Sequence, residues 1–141
     1  SVSRLDHTAL LPGAERCLKE LREAGVKIAL GSTSRNAAPI LKSLGIDGLF
    51  DAVIDGNLVT NTKPDPEVFA LGAPAGGLPN EKCVVFEDAE VGLRAARSAG
   101  MLAVGIGRAE NLQSADLVFP DLAAVDVRAL FESGRTHQLT G

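Results

Sequence analysis

Two adjacent carboxylates, Glu87 and Asp88, directly follow the apolar run Val84-Val85-Phe86, and an amphipathic helix pattern begins right behind them. Like charges side by side repel unless something neutralises them, and carboxylate oxygens are ligands that Mg²⁺ prefers. The pair therefore indicates a cation site in which Glu87 and Asp88 hold Mg²⁺. The residues alone leave an alternative open, in which Asp88 caps the following helix and Glu87 is solvated.

A second polar group, Ser32-Thr33-Ser34-Arg35-Asn36, follows another apolar run and leads into a predicted helix. Small hydroxyl side chains and free backbone N–H groups at a helix start can bind a phosphate group. Lys63 is a third candidate, because the prolines of Lys63-Pro64-Asp65-Pro66 stiffen the chain around one cation suited to a phosphoryl group. Helix capping and a solvated lysine are the structural alternatives to these two roles.

Alternating helix and strand patterns must position these residues. The sequence predicts helices over about 12–24, 37–45, from about 67, 90–99 and 122–131, and strands over about 26–30, 50–54, 83–86, 101–106 and 116–119. Residues 72–80, rich in Gly and Pro, are predicted to be loop. This alternation predicts a single α/β domain, a Rossmann-like parallel sheet with helices on both faces. Because ligands bind at the carboxyl ends of parallel strands, we expect the three polar groups at one sheet edge.

Composition narrows the classes of function. The 141 residues carry a net charge of −4 and no Trp or Tyr, which argues against a nucleic-acid partner. No apolar run approaches the roughly 20 residues that cross a bilayer, so no membrane association is expected. Cys17 and Cys83 lie far apart in apolar patterns and are predicted to be buried thiols, which favours a cytoplasmic location.

Three segments together resemble motifs two, three and four of the haloacid-dehalogenase (HAD) superfamily: Ser32-Thr33-Ser34, Lys63-Pro64-Asp65-Pro66-Glu67 and Phe86-Glu87-Asp88. Residues 31–37 and 87–93 are most similar to the β-phosphoglucomutase-like subfamily and its sugar-phosphatase relatives. The resemblance implies Mg²⁺-dependent phosphoryl transfer on a small phosphorylated sugar, by isomerisation of β-glucose 1-phosphate and glucose 6-phosphate through an aspartyl-phosphate. A HAD-type sugar phosphatase and a non-catalytic phosphate-binding or assembly module are the alternatives.

The resemblance also implies roles for single residues. Ser32 would hold the transferring phosphoryl group with the backbone N–H of Thr33, and Lys63 would neutralise the phosphoryl oxygens and the nucleophile, so Ser32 and Lys63 are the catalytic candidates. The neighbours Ser34, Arg35 and Asn36 would bind the phosphate groups of the substrate, and the acid pair 87–88 would bind Mg²⁺.

Some features of the family are not found in this sequence. Relatives carry the nucleophile in an Asp-x-Asp-Gly motif on a first strand, and no such motif occurs here. We therefore expect a partial core over 12–132, with a linker from a missing cap over 1–11 and a tail over 133–141, and we expect this polypeptide alone to be inactive. In relatives the first strand lies between the strands that end here at Leu30 and Phe86. Three arrangements remain open: direct pairing of those two strands, a second chain in the gap, or an added N-terminal segment.

Overall fold

The computed structural model describes residues 12–32, 37–43, 45–54 and 83–132. The helices and strands in these ranges are α1 (Pro12–Glu23), β1 (Lys27–Gly31), α2 (Ala37–Ser43), β2 (Ala52–Ile54), β3 (Cys83–Glu87), α3 (Glu90–Ser98), β4 (Leu102–Ile106), β5 (Leu117–Phe119) and α4 (Val127–Phe131). The strands form one parallel sheet in the order β2-β1-β3-β4-β5. The predicted α/β class is confirmed, while the predicted helix from residue 67, the loop over 72–80 and both chain ends lie outside the described residues.

The sheet carries a hydrophobic core on each face, because successive side chains of a strand point to opposite sides. One core joins alternate residues of β1 and β3 to α1, namely Ile28, Leu30, Val84, Phe86, Leu18 and Leu21. The other joins the intervening strand residues to α3, namely Ala29, Cys83, Val85, Leu93 and Ala96. The inner strands β3 and β4 are buried along their whole length, as expected for parallel strands covered on both faces.

The inner strands β1 and β3 pair directly, and we call this pairing the seam. Lys27–Gly31 lies in register against Cys83–Glu87, so that Lys27 faces Cys83 and Gly31 faces Glu87. Of the three arrangements left open by the sequence, the structure therefore has the first, in which no strand separates the two. The pairing joins the backbone groups that would otherwise form two exposed strand edges.

Helices α1 and α3 end in the same way before they enter the sheet. Gly25 and Gly100 follow them with φ angles of 82° and 80°, a left-handed conformation that glycine adopts without penalty. The N–H of Val26 donates to the carbonyl of Leu21 at 3.1 Å, and the N–H of Met101 donates to the carbonyl of Ala96 at 3.0 Å. The tight turns bring each helix directly back onto the sheet.

Two aspartates fix the outer strands to the inner ones at the amino edge of the sheet. Asp51, just before β2, accepts a hydrogen bond from Ile28 N at 2.8 Å, and Asp116, just before β5, accepts one from Ala103 N at 2.8 Å. Each also faces an arginine: Asp51 lies 3.4 Å from Nη1 of Arg22 in α1, and Asp116 lies 3.7 Å from Nε of Arg97 in α3. The carboxylates therefore hold the amino edge at both ends of the sheet.

The predicted helix over 122–131 is wrong in its middle. The segment forms a 3₁₀ turn over Leu122–Ala124 and a separate α4, with Val125 extended between them. Asp121 accepts from Ala124 N at 2.9 Å, and Asp126 accepts from Arg128 N at 3.0 Å, so each aspartate starts its own turn. Aspartate side chains bond their local backbone in this way, and the β-branched Val125 favours extended backbone, which explains the interruption.

The predicted burial of both cysteines is confirmed. Cys17 and Cys83 are free thiols in the core, and burial, the largest cause, raises the pKa of each to about 12. No helix within the described ranges is long and apolar enough to cross a membrane.

Candidate functional site

The seam brings two of the predicted site segments together. Gly31 and Glu87 form its last pair, so the next residues, Ser32 and Asp88, leave the sheet from neighbouring strand ends. Ser32 is only 1% exposed, whereas Asp88 is half-buried. The prediction that these segments meet at the carboxyl edge of a parallel sheet is thus confirmed for Ser32, Glu87 and Asp88.

The Glu87 side chain is enclosed, with 0% of its surface exposed. A Cβ built on Gly31 would lie 2.9 Å from Cδ of Glu87, and one built on Gly92 would lie 2.6 Å from its Cγ. Both distances are shorter than real Cβ contacts, so the carboxylate fits only because both positions lack a side chain. The alternative in which Glu87 is solvated is wrong for this structure.

The start of α3 also differs from the alternative in which Asp88 caps this helix. Its N-cap residue is Ala89, which is extended (φ −128°, ψ 139°) and makes no side-chain cap hydrogen bond. Asp88 therefore precedes the cap and does not itself fill that position. Asp88 is a half-buried residue whose Oδ1 is buried, and it lies at the sheet edge, outside the cap position.

A contact that sequence reasoning did not single out ties α3 to the segment after β4. Oε1 of Glu90 accepts from Ser114 N at 2.9 Å, and Oε2 accepts from the Ser114 hydroxyl. These bonds, the hydroxyl first, lower the pKa of Glu90 below its ordinary value. An acid in the first turn of a helix is common, because it interacts favourably with the helix dipole. The sequence does not reveal that this acid binds Ser114, 24 residues away, because that contact depends on how α3 packs beside β4.

The acid pair has the oxygen donors that suit a magnesium ion, but the burial of Glu87 gives the ion no access to both carboxylates. Two carboxylates supply the oxygen donors that Mg²⁺ prefers, and Asp88 is half-buried, with its Oδ1 buried. Glu87 offers no exposed surface. Among the described residues, no group of three or more His, Cys, Asp or Glu is placed to hold a metal ion. A Mg²⁺ site with both acids therefore remains a prediction, and no reaction step is derived through the ion.

The other predicted site residues lie outside the described residues: Thr33, Ser34, Arg35, Asn36 and Lys63. Their predicted contacts with phosphate groups stay predictions. The glycines at 31 and 92, in contrast, have a role that sequence reasoning missed. A glycine inside a helix costs stability relative to alanine, so Gly92 within α3 was the available signal of a close packing contact.

Residues 2–100 match the family model of haloacid dehalogenase-like hydrolases. This match covers more than half of the chain, and the chain therefore belongs to the haloacid dehalogenase-like hydrolase family. The resemblance drawn from the three motifs is confirmed.

Individual relatives agree with this assignment. β-Phosphoglucomutase from Bacillus subtilis (strain 168) is 37% identical over 138 residues, which are 98% of this chain and 61% of the relative. Fructose-1-phosphate phosphatase from Escherichia coli (strain K12) is 44% identical over 79 residues, which are 56% of this chain and 42% of the relative. The crystal structure of β-phosphoglucomutase from Clostridium difficile superposes with a TM-score of 0.70 and 37% identity, over 86% of this chain and 55% of that chain. The chain thus spans about half the length of the proteins it resembles.

Proposed function

We propose that this chain supplies the phosphate-binding and cation-binding part of an enzyme that transfers phosphoryl groups on small sugar phosphates. One observation carries the proposal: the seam places Ser32 beside the acid pair Glu87-Asp88 at the carboxyl edge of the sheet. This is the edge at which open α/β sheets bind ligands. Membership of a hydrolase family supports the reaction class.

In this proposal the residues after β1 bind phosphate. The Ser32 hydroxyl and the backbone N–H groups beyond it donate to the phosphoryl oxygens, and Thr33, Ser34, Arg35 and Asn36 extend this site. Lys63 brings a positive charge to the same oxygens, which stabilises the charge of a transferring phosphoryl group. Asp88 and its neighbour Glu87 are the acids that would hold Mg²⁺, and the ion would supply positive charge next to the phosphoryl oxygens.

Two reactions on sugar phosphates have support. Similarity to β-phosphoglucomutase over 98% of this chain supports isomerisation between β-glucose 1-phosphate and glucose 6-phosphate. Similarity to fructose-1-phosphate phosphatase, at 44% identity over a shorter stretch, supports hydrolysis of a sugar phosphate instead. We place isomerisation first because that similarity extends over nearly the whole chain.

Titration calorimetry of the 141-residue chain with inorganic phosphate, in the presence of Mg²⁺, tests the phosphate site. Ser32→Ala removes a hydrogen bond to a charged group, worth about 1.5–3 kcal/mol, so affinity should fall roughly 10-fold to 100-fold. Ser43→Ala is the matched control, because its exposed hydroxyl donates only to Ile40 O within α2, at 2.9 Å. Glucose 6-phosphate should displace phosphate and glucose should not. Equal affinities in both variants, or no phosphate binding at all, would contradict the proposal.

A further inference from the structure

A cavity of about 530 Å³ lies between α1 and the start of α4. Its volume is in the range of small-molecule pockets in proteins, about 300–1,000 Å³. One wall carries Arg16 and Glu20 of α1, and the opposite wall carries Asp126 and Arg128, at the start of α4. Each wall therefore contributes one cation and one carboxylate, and none of these residues belongs to the site of the proposed function.

The four charged side chains of the cavity do not neutralise one another. Arg16 and Glu20 are four residues apart on α1, the spacing at which another pair on the same helix forms an ion pair at 3.1 Å. Asp126 accepts a hydrogen bond from the backbone N–H of Arg128 at 3.0 Å, without an ion pair to its guanidinium. Within the described part of the chain, neither arginine forms an ion pair. All four side chains are exposed, so their charges are available to a ligand.

The floor of the cavity consists of Cys17, Val125 and Phe131, which also belong to or pack against the core beside α1. Burial is the main cause that raises the pKa of the Cys17 thiol to about 12, and the charges of Glu20 and Asp126 raise it further. Both carboxylates therefore lie near the thiol, and they approach it from opposite walls. Among the described residues no group of three or more His, Cys, Asp or Glu is placed to hold a metal ion, so this end of the cavity suits a positively charged organic group.

We propose that this cavity binds a small zwitterion, a molecule that carries an ammonium group and an acidic group joined by an apolar chain. The ammonium group lies between the carboxylates of Glu20 and Asp126, and the apolar chain lies on the floor. The acidic group accepts hydrogen bonds from the guanidinium groups of Arg16 and Arg128, whose planar donors match a carboxylate or phosphate group. The proposal does not rest on the proposed function, because the cavity shares no residue with that site.

A ligand with a single charge fits this cavity less well. The four lining charges add up to zero, so a cation is attracted by two carboxylates and repelled by two guanidinium groups, and the reverse holds for an anion. A zwitterion places each of its charges next to the opposite pair. Because each charged group makes its own hydrogen bonds, loss of either group from the ligand should weaken binding about tenfold or more.

An NMR titration of the 141-residue chain with ε-aminocaproate tests the proposal. Hexylamine and caproate are the matched probes, because each keeps the same chain and one of the two charges. We expect ε-aminocaproate to shift the amide resonances of α1 and of residues 123–131 in a saturable way, and each single-charge probe to bind about tenfold more weakly or worse. None of the probes carries a phosphate group, so the result is independent of the phosphate site of the proposed function.

Variants assign the binding to the cavity. Arg128→Ala should bind ε-aminocaproate about tenfold more weakly, and Arg16→Ala, on the longer helix α1, gives the same test if the first variant does not fold. Glu20→Gln should weaken binding as well. Arg94→Ala is the matched control, because this exposed arginine lies on α3, which packs on the other face of the sheet. The absence of saturable shifts, equal binding of a single-charge probe, or unchanged affinity in both folded arginine variants would overturn the proposal.

Discussion

The enclosure of Glu87 predicts that Gly92→Ala destabilises the wild-type chain but stabilises a chain that lacks the Glu87 side chain. Gly92 lies inside α3, where alanine is normally more stable than glycine by about 0.5–1 kcal/mol. In this structure the added methyl group would lie 2.6 Å from Cγ of Glu87, and overpacking of this kind costs about 1–3 kcal/mol. Gly92→Ala should therefore destabilise the wild-type chain. In a Glu87→Ala background the overlap is absent, and Gly92→Ala should stabilise by about 0.5–1 kcal/mol.

A double-mutant cycle measures this reversal. The free energy of unfolding is obtained from urea titrations, followed by circular dichroism, for the wild type, both single variants and the double variant. The expected coupling energy between positions 87 and 92 is about 1–3 kcal/mol, within the range found for residues in contact. Gly48→Ala, at an open surface position, should change stability by less than about 0.5 kcal/mol in either background. A stabilising Gly92→Ala in the wild-type chain would refute the enclosure of Glu87 by α3.

Three further predictions follow from single contacts. Asp51→Ala deprives the N–H of Ile28 of its acceptor and should lower the free energy of unfolding by about 1–3 kcal/mol in urea titrations. Arg22→Ala, which removes the exposed ion pair and an exposed hydrogen bond to Leu49 O at 3.2 Å, should cost less than about 1 kcal/mol, and a loss equal to that of Asp51→Ala would contradict this reading. The two buried cysteines, with pKa values raised from 9.0 to about 12, should resist iodoacetamide at pH 8 until urea unfolds the chain, and rapid labelling of the folded chain would contradict their burial. The free energy of unfolding should fall as the pH rises above 9.0, because the thiols ionise at a lower pH in the unfolded chain than in the folded one. Ser114→Ala should raise the pKa of Glu90 in an NMR titration, because the Ser114 hydroxyl is the main cause of its lowering, and an unchanged pKa would contradict that.

Much of the fold could be predicted because its signals are local. The turns at Gly25 and Gly100 and the buried runs of β1, β3 and β4 follow from residue type and periodicity within one element. The helix over 122–131 was wrong because Asp121, Asp126 and Val125, each tolerable alone, together favour two short turns. Helical periodicity does not detect such a break.

The candidate site was predictable in its residues but not in its arrangement. Ser32, Glu87 and Asp88 follow apolar runs, and the parallel sheet brings such residues to one edge. The burial of Glu87 was not predictable, because it depends on the register of the seam and on the approach of α3. Both the register and the position of α3 are set by packing across the sheet, and no local sequence pattern determines that packing.

Cross-strand NMR contacts in the monomeric chain test the central claim most directly, namely that β1 and β3 pair with Gly31 opposite Glu87 and thereby place Ser32 beside Asp88. In a monomer confirmed by sedimentation, we expect backbone nuclear Overhauser effects between β1 and β3 along the register from Lys27 with Cys83 to Gly31 with Glu87. Slow amide exchange in both strands without any contact between them would mean that each pairs with something else, and the account of the site would be wrong.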